Sequence, residues 1–394
     1  VPSTRLKAGA WIAWGLDEVT IADLFKSAGY TTGLVGKWHL GALDKRYHPN
    51  ARGFDEFAGF RGGRQDYYDW RLDRNGQLEQ ADGRYLTDVF TEEATGFIDR
   101  HKDEPFFLHL TYNAPHFPLQ APDEDVNPFR ESGKYTEGVS QIYGMISRVD
   151  QGLERILQKL DDHGLTENTL VMFTSDNGPQ LGGQGDMNTA RHNCGFNGAK
   201  GNVYEGGIRV PMVIRWPGAL KSGTRVDEVV HFTDWLPTLA QAAGFEIPEH
   251  IRLDGESVLP LLREEGAGPQ IPRFWQWNRY TPVATSNAAM RDGPWKLVRP
   301  RIKETMVVAG EDLTMDRALK YEPDQFTDIV RTQEPERTVP APEAPELYNL
   351  YEDPLELKDL ARLEPARLSR MKLALETWFE DVESERRRKH PGDK

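Results

Sequence analysis

The chain reads as an α/β protein: a large, mainly parallel sheet sandwiched by helices, followed by a smaller C-terminal α+β subdomain. Three observations predict this. Short apolar runs bounded by Gly, Pro and Asn recur at residues 31–35, 106–110 and 169–173, as interior strands do. Amphipathic helical stretches alternate with these runs, which implies helices covering both faces of a parallel sheet. After about residue 260 the texture turns to short, aromatic, turn-rich segments typical of antiparallel sheets.

Residues 18–29 form the first expected helix, with Ile21, Leu24, Phe25 and Ala28 on its apolar side and Gly29 closing it. The strand at 31–35 runs on into Gly36-Lys37-Trp38-His39. Residues 46–80, rich in Gly, Arg, Asp and aromatics, read as a long surface loop able to line a pocket. A second helix at 86–101 feeds the strand at 106–110, which leads to Ala114-Pro115-His116. The clearest helix is 141–163, where Ile142, Ile146, Val149, Leu153, Ile156 and Leu160 recur in steps of four and three before Gly164. The strand at 169–173 ends in Ser175-Asp176-Asn177-Gly178. A further strand spans 210–216, and a helix 232–243. Short strands are expected around 274–277, 288–291 and 295–298, then a Pro-rich, acidic excursion at 304–346. A terminal helix at 363–382 precedes a solvated tail at 385–394. The expected division is 1–264 for the α/β domain and 265–394 for the subdomain.

With 394 residues the chain can bury a large core. Its 38% hydrophobic and 28% charged content exclude wholesale disorder. No apolar stretch reaches the roughly 20 residues of a membrane helix. A net charge of −14 with no basic stripe argues against non-specific nucleic-acid binding. The single cysteine, Cys194, excludes an internal disulfide framework and a multi-cysteine metal site.

Four polar islands carry the chemistry. In open α/β sheets ligands bind beyond the carboxyl ends of the strands, so motifs following three strands point to one site. Asp176 and Asn177 offer oxygen donors suited to a hard divalent cation, although Asp-Asn-Gly is equally a common turn. Lys37 and His39 project to one side of an extended segment, as a surface pair also would. His116, between Pro115 and Pro118, is placed to serve as a general acid, or is an ordinary loop histidine. Lys200 lies among Gly198, Gly201, Gly206 and Gly207, where backbone and ammonium can both approach an oxyanion.

Taken together the motifs resemble those of type I sulfatases of the arylsulfatase class, within the alkaline phosphatase superfamily. Gly36-Lys37-Trp38-His39-Leu40-Gly41 matches that family's motif without a mismatch. Ala114-Pro115-His116-Phe117-Pro118, Ser175-Asp176-Asn177-Gly178, Tyr204-Glu205-Gly206-Gly207-Ile208-Arg209 and Glu346-Leu347-Tyr348-Asn349-Leu350 continue it in family order. The resemblance implies that Asp176 and Asn177 are ligands of one Ca2+ ion and that Lys37 and Lys200 hold sulfate oxygens. It implies that His39 contacts the nucleophile and that His116 serves the departing alcohol or phenol. It further implies a sulfated small molecule or saccharide as substrate, a formylglycine nucleophile installed by a maturing enzyme, and a periplasmic or secreted protein.

Family members carry an aspartate pair and a Cys/Ser-x-Pro-x-Arg motif upstream of Gly-Lys-Trp-His. Val1-Pro2-Ser3-Thr4-Arg5 has the wrong spacing for the latter, and Cys194 lacks the Pro and Arg, reading instead as a pocket-wall or buried thiol. The expectation is that the nucleophile and half of the calcium site lie before Val1 and that the chain as given is inactive. Two alternatives share these motifs: a phosphonate monoester hydrolase or phosphodiesterase of the same superfamily, and a non-catalytic binder of sulfated ligands. Arg61, Arg64, Tyr67, Tyr68, Trp70, Arg191 and His192 are either a saccharide subsite or ordinary surface residues.

Overall fold

A computed structural model describes residues 4–7, 15–41, 45–310, 312–313, 329–332 and 336–389. After a short strand β1 (Thr4–Lys7), helix α1 (Ile21–Ser27) starts at Thr20 rather than residue 18. The reason is a reciprocal cap: Thr20 Oγ1 accepts from Asp23 N at 3.1 Å while Thr20 N donates to Asp23 Oδ2 at 2.9 Å. Strand β2 (Thr31–Lys37) follows and is buried along both faces. Leu34 packs toward α1 with Ala22, Trp38, Phe54 and Phe57, while Val35 packs into the opposite cluster with Phe60, Tyr67, Trp70 and Phe90. Alternation of this kind is what a strand covered on both sides requires.

Residues 46–80 are not the expected surface loop. They contain β3 (Glu56–Phe60), β4 (Arg71–Arg74) and β5 (Gln77–Gln80), and their aromatics are core: Tyr67 is 0% and Trp70 1% exposed. Gly and Asp mark the tight turns between short strands here. Helix α2 (Leu86–His101) and strand β6 (Phe106–Thr111) match expectation. The resulting sheet has the order β5-β4-β3-β2-β6, parallel at its centre and antiparallel at its β4–β5 rim. Register sets Gly36 opposite both Gly59 and Thr111, so Lys37 emerges at the carboxyl edge.

Helix α3 (Asp123–Glu131) precedes α4 (Glu137–Asp162), which begins a turn earlier than its apolar period because Thr136 caps it. Strand β7 (Val171–Thr174) pairs antiparallel with β8 (Met212–Arg215), with the one-turn helix α5 (Glu205–Ile208) between them. Among the described residues β7 is not hydrogen-bonded to the five-stranded sheet, so the expected single edge is two ladders. They share one cover: Leu108 and Leu110 of β6 and Val171 of β7 pack on Ala94 and Ile98 of α2 and Ile156 and Leu160 of α4. Helices α6 (Trp235–Ala243) and α7 (Leu259–Leu262) complete this part.

The subdomain is an antiparallel sheet with the order β13-β11-β10-β9, from β9 (Arg273–Gln276), β10 (Ala288–Asp292), β11 (Trp295–Arg299) and β13 (Glu346–Asn349). Helix α8 (Pro365–Lys389) packs Met371 and Leu375 against it. It runs through residues 385–389, which were expected as tail. Of the 304–346 excursion, residues 311, 314–328 and 333–335 lie outside the described residues, but it contains β12 (Ile329–Thr332), parallel to β1. That pairing joins the first strand to a segment far along the chain and has no local sequence signal.

Candidate active site

Two strand ends and two glycine turns build the site. Lys37 closes β2, and its carbonyl accepts from Thr111 Oγ1 at 2.7 Å, which ties the end of β2 to the end of β6. His39 follows in the left-handed region with φ 57. The backbone beside it is aligned by Trp38 N to Phe60 O (3.0 Å) and His39 N to Arg61 O (3.2 Å). Its ring lies against Gly63, where a Cβ would meet Nε2, so any larger residue there would push the ring aside.

His116 sits on the loop after β6. Its N donates to Asn113 O (2.8 Å), and its carbonyl accepts from Tyr67 Oη (3.0 Å). The Phe117 carbonyl lies 2.9 Å from His116 Nδ1 and can only accept, so Nδ1 carries the proton and Nε2 is the lone pair. Burial pushes the imidazole down to about 4; the Phe117 carbonyl opposes this, and the positive charges of Lys200, Lys37 and Arg64 reinforce it. Two sequence-derived lysines and one histidine therefore share one electrostatic environment, with Arg64 as a third cation. Arg64 also lies over the Phe117 ring at 6.0 Å.

The other half is backbone packed on backbone. Gly178 N donates to Gly207 O (2.9 Å), Gly206 N to Asn197 O (2.7 Å) and Lys200 N to Pro179 O (2.9 Å). A Cβ at Gly178 would overlap Gly206 O, and one at Gly206 would overlap Gly198 O. Only glycine permits this approach, and it sets Asp176-Asn177 beside the Lys200 turn. Asp176 is exposed and Asn177 half-buried; Asn177 Nδ2 donates to Gly178 O at 2.9 Å, leaving Oδ1 as an acceptor. Both are hard oxygen donors. Among the described residues, however, no group of three or more His, Cys, Asp or Glu is placed to hold an ion. The donor chemistry fits a hard cation, and the donor count is short of a site.

Behind the glycine turns lies a device that sequence reasoning missed. Lys296 of β11, fully buried, lies 2.8 Å from Glu205 Oε1 and 2.8 Å from Glu356 Oε1. Glu356 Oε2 in turn accepts from Glu205 N at 2.8 Å. Burial raises the Glu356 carboxyl above its ordinary value, with Lys296 opposing. Nothing local marks this triad, because its members come from three separate segments. Asn113 was also missed; it is 5% exposed, and neither side-chain polar atom has a partner among the described residues.

Several proposed subsite residues are otherwise engaged. Tyr67 and Trp70 are core, Arg61 pairs with Asp73 at 3.3 Å, and Arg191 donates to Gln180 O and Thr189 O. Cys194 is exposed rather than buried, on a φ of 62 in the loop before the glycine turns.

The positive charges of Lys200, Lys37 and Arg64 bear on a neutral imidazole at the edge of an α/β sheet. Residues 8–245 match the sulfatase family model, and residues 196–332 match the model described as N-sulphoglucosamine sulphohydrolase, C-terminal. The chain belongs to the sulfatase family, as a type I sulfatase of the alkaline phosphatase superfamily. It is 37% identical over 280 residues to the uncharacterized sulfatase YdeN of Escherichia coli, covering 64% of this chain and 48% of that one. Against arylsulfatase J of Mus musculus it is 32% identical over 296 residues, covering 71% and 47%. The chain thus spans about half the length of these relatives. Among solved structures, Ps i-CgsB in complex with k-i-k-neocarrahexaose superposes with a TM-score of 0.76 at 28% identity, covering 95% of this chain and 77% of that one. No helix among the described residues is long and apolar enough to cross a membrane.

Proposed function

We propose that this chain supplies the sulfate-binding and leaving-group side of a sulfuric ester hydrolase acting on aryl or carbohydrate sulfates. What supports the reading is that the charges of Lys37 and Lys200 both bear on the buried His116 ring. The two lysines hold sulfate oxygens and orient the group, and their positive charge offsets the negative charge that grows on the departing oxygen as the S–O bond lengthens. His116 is neutral in the free site. A bound sulfate partly cancels the lysine charges and raises the ring's proton affinity, so that Nε2 can hold the proton the departing oxygen takes. His39, two residues from Lys37, stands on the nucleophile side.

The family generally uses a metal ion. In this reading Asp176 and Asn177 contribute two oxygens to a calcium ion, which when bound neutralises sulfate charge. In the same reading a formylglycine, installed by a maturing enzyme, supplies the covalent chemistry of the whole enzyme. A periplasmic or secreted location belongs to the same reading.

The test is a titration of inorganic sulfate followed at the His116 ring resonances. Sulfate should raise the ring's pKa, and Lys37→Ala or Lys200→Ala should weaken binding about ten-fold or more, the loss of one charge-assisted contact. Sulfate binding indifferent to both lysines would sink the assignment.

A further inference from the structure

The turn that carries Lys200 is clasped from the subdomain sheet. Asn287, 1% exposed, donates Nδ2 to Gly201 O (3.0 Å) and to Trp277 O (2.8 Å), and Trp277 N donates to Asn287 O (3.2 Å). The edge of the Trp277 indole lies 3.5 Å from where a Cβ on Gly201 would stand. The 277–287 turn is cross-braced: Asn278 Oδ1 accepts from Val283 N (2.9 Å), and its Nδ2 donates to Ser286 O (3.2 Å). Arg279 N donates to Thr305 O (2.8 Å).

On this fixed turn Trp277 is 41% exposed, and the Arg279 guanidinium lies 5.0 Å from its ring centroid. The neighbouring Trp275 instead packs edge-on to His231 at 5.0 Å. Core packing accounts for Trp275, whereas Trp277 is held on its turn with part of its ring open to solvent. A rigid indole gives apolar contact at little entropic cost, and the C–H face of a pyranose is its natural complement. The Arg279 guanidinium, with Nε and Nη1 buried against this turn, sets a positive charge at the same ring that favours an anionic substituent by charge rather than by direct contact.

Resting on the sulfatase reading above, we infer that Trp277 and Arg279 form an outer subsite, one residue beyond the Lys200 anion contact, for a sugar adjoining the sulfated one. The ligand class is then an anionic oligosaccharide rather than a small aryl sulfate.

The test is calorimetry on the full chain with two probes, inorganic sulfate and k-i-k-neocarrahexaose. The hexasaccharide should bind more tightly than sulfate. Trp277→Ala should lower the ratio of hexasaccharide to sulfate affinity about ten-fold, Trp277→Phe should recover most of it, and the hexasaccharide should quench the wild-type tryptophan emission. Arg279→Gln, which leaves the indole in place, should lower the same ratio by a smaller factor, so the inference does not hang on one variant folding. Lysine-dependent sulfate binding with an unchanged ratio in both variants overturns the subsite and leaves the sulfatase reading standing. Failure of both probes to bind wild-type protein in a lysine-dependent way overturns both.

Discussion

Lys37 and Lys200 deliver charge to the same histidine by different physical means. Lys37 is placed by a parallel ladder: its strand is fixed on both sides by register and by apolar packing on both faces. Lys200 is placed by glycines whose backbones touch, clamped by the buried Lys296–Glu205–Glu356 triad. The first arrangement spreads its stability over many weak contacts, so removing one side chain at its edge is tolerated. The second concentrates it in a few contacts with no slack. Perturbations should therefore separate the two halves of the site.

The largest effect is expected at the triad. Lys296→Ala leaves two buried carboxylates facing each other without their cation, which costs about 3–5 kcal/mol. Lys37→Ala at the strand end should cost less than about 1 kcal/mol while still weakening sulfate binding. Urea denaturation of the two variants measures the contrast; equal losses would remove the distinction between the halves. Next in size is Gly178→Ala, whose Cβ would overlap the Gly206 carbonyl. Overpacking of this kind costs about 1–3 kcal/mol, and it should displace Asp176 and Lys200 together. A variant as stable as wild type would show that the glycine turns have slack.

The same contrast explains what was legible in the sequence. Helices α2 and α4 and the strands feeding Lys37 and His116 follow from local periodicity, because burial of a strand or a helix face is written in consecutive residues. The 46–80 segment misled because short strands rich in Gly and Asp look like loop, and Tyr67 and Trp70 gave no local sign of being core. The β7–β8 ladder, the β1–β12 pair and the Lys296 triad depend on partners far apart in the chain, which no window of sequence contains. The candidate residues themselves stood out as polar motifs at strand ends and in a glycine-rich turn, and the family resemblance gave them roles. What the motifs could not give was the protonation state of His116, which comes from burial and neighbouring cations.

That protonation state yields a smaller, pH-dependent effect. The ring's ordinary value is 6.5 and its folded value about 4, so the unfolded chain binds the proton more readily. The stability contributed by the neutral ring is complete above pH 6.5 and is lost as pH falls toward about 4. The slope is at most about 1.4 kcal/mol per pH unit, and less because the ring is partly in contact with water. His231, pushed down to about 4 by burial and by Arg273 against the pull of Asp234, adds a parallel loss away from the site. Denaturation curves at pH 7, 6 and 5 should thus flatten in His116→Asn without becoming level. An unchanged slope would mean that the His116 ring is not held neutral by its surroundings.

The smallest expected signals concern metal and turnover; the first falls on the glycine-turn half and the second needs both. Two protein oxygens from Asp176 and Asn177 are few for a divalent cation, whose affinity follows ligand number and charge. Calcium should bind this chain with a Kd of about 1 mM or weaker by calorimetry. Micromolar affinity abolished by Asp176→Ala would instead mean that further ligands of this chain join the pair. Hydrolysis needs an activated nucleophile, and neither Val1-Pro2-Ser3-Thr4-Arg5 nor the surroundings of Cys194 fit the motif that supplies one. The 394-residue chain should therefore leave p-nitrophenyl sulfate at the background rate, even with calcium and a formylglycine-generating enzyme. Robust turnover that survives Cys194→Ala would place the nucleophile on this chain, at a residue outside both motifs. The two lysines and His116 would then be serving a chemistry for which both halves of the site suffice.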